Sequence, residues 1–506
     1  MLLAAMQIPP ETFLIDRASA QPLQLQLRRQ IIRAVHEGRL RPGERMPSSR
    51  ALAAHLGLGR ITVTQAYGDL VATDYLIAQG RSGYFVSDRV EELRPEPAPD
   101  TGAPRFDWST LIEGRNLAAK RKDRPTDWRR YPYPFLYGQT DDRLIDHAAW
   151  RDCAVRALGR RDLGALSDDQ YDNDDPELVD FIIRHLLPRR GIQARPDEIL
   201  LTLGAQNALW MICAILLRRG VSTVIEEPGY PGLHEILRTM DARVLPVPID
   251  ADGLPPERIP HGVSAVFCSP SHQCPTNRTM PLARREALLR LADQRGFAVI
   301  EDDYEFEISF AGSTSPALKA MDRSGAVIHI GSFSKSVFPG LRLGYIVADP
   351  DFVAEARALR GMMLRHPPGH VQRTMAYFLS LGHYDRQVKR MRNSYAERRR
   401  VTSEALSRHG LDSGQPAGAG GSSFWLQTPA GLDSDVLARA LKPEGVLIEP
   451  GRPFFHDGSD GTGHYRLAYS SIAARDIEEG VRRIAQTCER LAGQDGTSRM
   501  NRQPQV

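Results

Sequence analysis

The chain has 506 residues, 42% hydrophobic and 25% charged, with a net charge of +3 and five scattered cysteines that form no CxxC pair. That length is too great for one core and asks for two or more domains, while the balance is that of an ordinary globular protein. The small net charge gives no global signature of a nucleic-acid binder, the cysteines argue against a disulfide framework or a zinc site, and no apolar run approaches the ~20 residues of a bilayer span.

Residues 17–87 read as a small helical domain closed by a hairpin. Leu23, Leu27, Ile31 and Val35 repeat every four residues and make one helix face. "SSRALAAHLG" predicts a short helix with a serine cap and Gly57 as its stop, and "RITVTQAYGDLVATD" predicts a second. "YLIAQGRSGYFVS" holds two β-prone runs around Gly80 and Arg81, a hairpin. Residues 88–130, rich in proline and charge, read as an exposed linker. From 131 to 492 helical patterns alternate with the apolar runs "EILLTLG", "STVIEEPGY", "VSAVFCSP", "GFAVIEDDYE" and "AVIHIGSFSK". That alternation predicts an α/β domain, a mostly parallel sheet covered by helices. Residues 493–506 are polar and read as a disordered tail. The N-terminus has no basic region and is broken by Pro9 and Pro10, a poor signal peptide, so a soluble cytoplasmic protein is expected.

Charge is distributed unevenly. Between Arg17 and Arg89 stand eleven arginines and five acids, a surplus of six in one small segment. Such a surplus equally describes a solvated helical face, and the order of elements separates the two readings. Two helices and a hairpin suit a helix in the major groove flanked by a wing. Over its whole length, "LRPGERMPSSRALAAHLGLGRITVTQAYGDLVATDYLIAQGRSGYFV" resembles the GntR-type winged helix-turn-helix. By that resemblance Ser49, Arg50, Arg60, Thr62, Thr64 and Arg81 contact operator DNA.

In the second domain the informative residues follow the apolar runs. Tyr230 follows "TVI", Asp302 and Tyr304 follow "AVI", and Lys335 and Arg342 follow "VIHI". Ligands of parallel α/β sheets bind beyond those strand ends. An acid, aromatics, a lysine and an arginine meeting there suit pyridoxal 5′-phosphate, which needs an amine for a Schiff base, an acid for its ring nitrogen and donors for its phosphate. "TLGAQNALWM" offers a helix start, with Gly204, Ala205 and Gln206 presenting backbone donors.

"TLGAQ", "EEPGY", "SPSHQCPT" and "EDDYE…GSFSKSVFPGLRLGY" together resemble the fold-type I aminotransferase domain. Joined to the N-terminal winged helix, the chain resembles the MocR family of bacterial transcriptional regulators. The resemblance implies that Lys335 forms the Schiff base with the cofactor, Asp302 partners the pyridinium, Tyr304 lies near the phenolic oxygen and Tyr230 stacks on the ring. It assigns the phosphate to Ser332, Ser334 and Arg342, and makes Arg466 of "HYRLAYS" the clamp for an effector carboxylate. It further implies a homodimer, head to tail, and a regulator that senses an amine or amino acid by external aldimine formation. The competing reading is a working aminotransferase that carries a DNA-binding domain. Three departures stand out: Asn277 where the family has glycine, "YDNDDPELVDFI" without the usual glycine and "LR", and Cys274 where aminotransferases carry asparagine.

Overall fold

The computed structural model describes residues 8–19, 21–91, 107–110, 112, 125–217, 219–309, 315–411, 420–429, 431–458 and 460–500, apart from the side chains of 81, 90, 91, 110 and 493–500. The chain divides into two compact units, Met1–Arg115 and Asn116–Val506.

The first unit is built on α1 (Leu23–His36), α2 (Ser49–Leu56) and α3 (Arg60–Ala72), followed by the antiparallel pair β1 (Leu76–Gln79) and β2 (Gly83–Val86). The four-residue spacing on α1 buries Leu27, Ile31 and Val35 against Leu52 of α2 and Val63, Tyr67 and Leu70 of α3. Ser48 caps α2 by accepting the Ala51 amide, and Gly57 ends it at φ +62°, a left-handed turn that suits glycine. Ile8 and Phe13 complete the core from the N-terminal side.

Part of the basic surplus is spent inside this unit. Arg17 donates to the carbonyls of Gly57 and Leu56, closing the end of α2, and Arg33 and Arg39 share Glu37. Most of the segment expected as linker lies outside the described residues. Its end is structured: Trp128 is buried with Leu136 and Leu447, so packing in the second unit begins before residue 131. At the other end, the last helix continues the backbone to Met500 across part of the expected tail, and 501–506 lie outside the described residues.

The second unit holds a seven-stranded sheet of β4 (Ile199–Thr202), β5 (Ser222–Glu227), β6 (Arg243–Pro248), β7 (Val263–Cys268), β8 (Ala298–Asp302), β9 (Val327–Ser332) and β10 (Gly344–Val347), in the order 4-10-9-8-7-5-6. β5 to β9 pair in parallel, while β10 runs antiparallel to both β4 and β9. Near-continuous apolar runs form these strands because both faces are covered: β4, β9 and β10 are buried at every position. The expected mostly parallel α/β sheet is present, but two of its strands, β6 and β10, had no separate place in the sequence reading.

A smaller antiparallel sheet of β11 (Ser423–Gln427), β14 (His464–Ala468) and β13 (Glu449–Pro450) has its own core around Tyr465, Leu467 and Val481. The parallel pair β3 (Tyr133–Pro134) and β12 (Val446–Leu447) ties the start of the unit to this region. Among the described residues, no helix is long and apolar enough to cross a membrane.

Candidate functional site

Strand direction explains which residues meet. Asp302 ends β8, Ser332 ends β9 with Ser334 and Lys335 just beyond, and Tyr230 follows the end of β5. Gly204 follows β4 as the cap of α4 (Ala205–Leu216), whose first amides have no partner within the helix. Because β10 runs the other way, with Gly344 opposite both Thr202 and Ser332, the preceding Arg342 reaches the same edge. The smaller sheet adds Arg466 from β14. A cavity of about 210 Å³ is lined by Lys335, Asp302, Tyr230, Tyr304, Arg342 and Arg466, with Ala205, Gln206, Ser332 and Ser334 around it.

The polar groups are set for a partner. Asp302 is half-buried as a residue, but its Oδ1 is fully enclosed and makes no hydrogen bond within the protein. Burial raises its carboxyl to about 7, Asp303 adding to the effect and Lys335 opposing it. Ser334 Oγ is likewise buried without a partner. Arg342 sits at φ +53° and donates to the Leu203 carbonyl at 3.1 Å. A Cβ on Gly204 would come within 3.3 Å of its guanidinium, so glycine permits that approach. Tyr230 donates its hydroxyl to Gln206 Oε1 at 2.9 Å, and Tyr304 donates to the His272 carbonyl at 2.8 Å.

Arg466 is held before any ligand arrives. Its Nε donates to Glu449 Oε2 at 2.9 Å, its opposite number in the β13–β14 register, and the carbon of its guanidinium lies 3.9 Å from the Tyr137 ring centre and 4.7 Å from that of Phe454. Burial alone would lower its pKa, but Glu449 overrides this and raises it, so the cation is retained. Cys274 Sγ lies 3.8 Å from Arg466 Nη1 and lines the same cavity. The chain reading passed over Tyr137, Gly138, Glu305 and Glu449. Tyr137 and Gly138 arrive through the β3–β12 pairing, and the Tyr137 amide then donates to Glu449 Oε2 at 3.1 Å. The one local signal was a glycine directly after an aromatic in "FLYGQTDD". Glu305 accepts from Ser422 at 2.6 Å, and burial raises its carboxyl while Lys335 opposes the shift.

Gly138 has φ +77°, and a Cβ there would lie 2.8 Å from Lys335 Nζ. Gly138→Ala therefore strains the backbone by about 1 kcal/mol and displaces the lysine amine. Thermal unfolding should show a loss of that order, and pyridoxal phosphate titration should show weaker uptake; native-like uptake would remove the role of this close approach.

The departures have structural accounts. Asn277 takes φ +57° and donates to the Ser423 carbonyl at 2.6 Å, a contact glycine could not make. In "YDNDDPELVDFI", Asp174 pairs with Arg357 and Arg360, and Asp175 both caps the helix that begins at Pro176 and pairs with Arg373.

In the first unit, α3 buries Val63, Ala66, Tyr67 and Leu70. Arg60 and Thr64 are exposed and Thr62 is half-exposed, but the Thr64 hydroxyl donates to the Arg60 carbonyl at 2.9 Å. Arg50 is exposed, and Ser49, the first residue of α2, is half-buried. The Arg81 side chain lies outside the described residues. Ile61, at 74% exposure, stands on the outer face of α3 and was not picked out from the sequence.

The cavity fits pyridoxal 5′-phosphate. Its unpartnered buried carboxylate oxygen matches a protonated ring nitrogen, the amine of Lys335 matches the aldehyde, and the glycine-lined cradle of Gly204, Arg342, Ser334 and the start of α4 matches a phosphate.

Fold and site together define a winged-helix DNA-binding unit joined to a fold-type I aminotransferase-like unit. Residues 170–484 match the class I and II aminotransferases, and residues 23–86 match the gntR family of bacterial regulatory proteins. The chain is 53% identical to the HTH-type transcriptional regulator TauR of Rhodobacter capsulatus, over 95% of this chain and 99% of that protein. It is 30% identical to the probable rhizopine catabolism regulatory protein MocR of Rhizobium meliloti, over 92% of this chain and 94% of that one. The second unit resembles LysN, the alpha-aminoadipate aminotransferase of Thermus thermophilus, with a TM-score of 0.69 and 27% identity, covering 77% of this chain and all of that one. The chain belongs to the MocR family of transcriptional regulators.

Proposed function

We propose that this protein binds operator DNA with its first unit and reads a small amine or amino acid in the cavity of its second. The observation that carries the reading is the meeting of Lys335, Asp302 and Arg466 around one cavity, in a chain whose α3 also exposes Arg60. Pyridoxal 5′-phosphate, when bound, supplies an aldehyde that condenses reversibly with primary amines. Lys335 would hold that aldehyde at rest, and its place is the one open to an effector amine. Asp302 would partner the ring nitrogen, Tyr230 would cover the ring, and Tyr304 would stand near the phenolic oxygen. Ser332, Ser334, Arg342 and the amides around Gly204, Ala205 and Gln206 would hold the phosphate. Arg466 binds the acid end of the effector.

The reading includes a cytoplasmic homodimer, head to tail, whose paired winged helices contact the operator through Ser49, Arg50, Arg60, Thr62, Thr64 and Arg81. An effector changes operator affinity only so far as it binds the two arrangements of that dimer unequally. Turnover as an aminotransferase is the less favoured reading, since Cys274 stands where those enzymes use asparagine beside the ring. A panel of amines with keto acids separates the two: repeated turnover would favour the enzyme, and a spectral change without turnover favours the sensor.

Arg60→Ala tests the DNA half. It should weaken binding to an operator duplex at least about fivefold at fixed salt, since a phosphate or base contact of arginine is worth about 1–3 kcal/mol. The visible absorbance of the cofactor-loaded protein should not change. Native operator affinity in this variant would remove Arg60 from recognition.

A further inference from the structure

The inner face of α3 is fixed by its buried residues Val63, Ala66, Tyr67 and Leu70. At about 3.6 residues per turn, Ile61, Gln65 and Gly68 fall on the line directly opposite, with Thr64 beside them. All four are exposed, Ile61 at 74%. A merely solvated helix face carries charge. The charges of α3 are instead Arg60, to one side of that line, and Asp69, which accepts from Gln24. Thr64 spends its hydroxyl proton on the Arg60 carbonyl, so Gln65 is the donor of the line. Gly68 lies inside the helix, where alanine would be more stable. A Cβ there would meet nothing within 4 Å, so packing within the protein does not call for glycine. The bare backbone suits a close approach by a group that α3 docks against.

We infer that Ile61 and Gln65 are specificity-determining residues that read A·T pairs of the operator, Gln65 bonding the edge of an adenine and Ile61 packing on a thymine methyl. This rests on the operator reading above, which assigned no base to any residue. In the major groove adenine alone sets a donor beside an acceptor, the pair that a glutamine amide matches. Guanine offers two acceptors there and cytosine one donor, while thymine is the one base with a methyl group. An exposed isoleucine gains from covering that methyl and gains nothing from a phosphate. Ile61 and Gln65 stand four residues apart, about 6 Å along the helix, which spans about two base-pair steps. Arg60, beside the line, is left for the phosphates or for a neighbouring guanine.

The test selects duplexes from a random-sequence pool with the full-length, cofactor-loaded protein. The recovered duplex is remade at its invariant A·T pairs, with uracil for thymine to remove the methyl or 7-deazaadenine for adenine to remove the N7 acceptor. The native protein should bind the uracil duplex at least about threefold more weakly, and the 7-deazaadenine duplex at least about fivefold. Ile61→Ala should be indifferent to uracil yet still lose affinity with 7-deazaadenine, and Gln65→Ala should show the reverse. Both substitutions lie on the exposed face, and thermal unfolding checks that the fold is kept. Gly68→Ala should unfold at a higher temperature than the native protein and still bind the duplex more weakly; native affinity in that variant would remove this face from the groove. Recovered duplexes without an invariant A·T pair, or variants that lose as much as the native protein on both remade duplexes, would overturn the inference and leave the operator reading standing. A native protein that enriches no sequence would overturn the operator reading with it.

Discussion

Lys335→Ala yields a protein that lacks the visible band of a lysine-linked pyridoxal 5′-phosphate and whose operator binding no longer responds to amines. Among the residues lining the cavity, Lys335 carries the one primary amine, and it sits beside Asp302, Tyr137 and Gly138 at the end of β9. Without it the cofactor is held only by the phosphate seat and by Asp302. Uptake should weaken at least tenfold, on the order of 1.4 kcal/mol or more. The winged helix draws its core from Leu27, Val63, Tyr67 and their neighbours in its own unit, so binding to the operator without effector should persist. Absorbance spectra and operator titrations with and without amines check both parts. A Lys335→Ala protein with the native visible band and native effector response would sink the assignment of the amine.

Asp302→Asn should act in opposite directions on the cofactor-free and cofactor-bound protein. In the free protein burial raises the Asp302 carboxyl from 3.8 to about 7. Between those values the folded protein keeps a proton that the unfolded chain has released, so the folded state binds more protons and stability falls as pH rises across the window. Above about pH 7 the full cost applies, at most a few kcal/mol for such a shift. Asparagine carries no such charge. Denaturant unfolding of the cofactor-free variant should therefore show a gain at pH 8 that disappears near pH 4. Glu307, raised by burial to about 7, imposes the same trend in both proteins and cancels in the comparison. Glu226, raised to about 8 by burial and in part by Asp302, loses that part in the variant and adds to its gain. With cofactor the sign reverses, because the amide cannot balance a protonated ring nitrogen; affinity should fall tenfold or more. An Asp302→Asn protein that binds cofactor as tightly as the native one would remove the pyridinium role.

Much of this was legible along the chain. The helices of the first unit follow from apolar residues four apart, a serine cap at Ser48 and a left-handed glycine at Gly57, all set within a few residues of one another. The strands that carry Asp302 and Lys335 are apolar runs ended by polar motifs, and parallel pairing sends those ends to one edge. Asn277, which stands where the family has glycine, takes the left-handed conformation that asparagine tolerates. Less was legible about charge. Arg17, Arg33 and Arg39 counted toward a DNA-binding surplus, yet they close a helix end or share Glu37, because counting residues does not reveal which neighbours they meet.

The site divides along the same line. Lys335, Asp302, Tyr230 and Arg342 could be named from the chain alone, because the first three stand just past the ends of separate apolar runs and Arg342 belongs to the motif that follows Lys335. Glu449, Tyr137, Gly138 and Glu305 could not. Glu449 faces Arg466 through an antiparallel register across 17 positions, and Tyr137 reaches Glu449 across 312. Pairing at such separations depends on which strand edges and apolar faces remain unsatisfied once the local elements have formed. Chain order therefore placed a lysine and an acid at one sheet edge, and folding decided which tyrosine ring packs against both that lysine and the arginine of the smaller sheet.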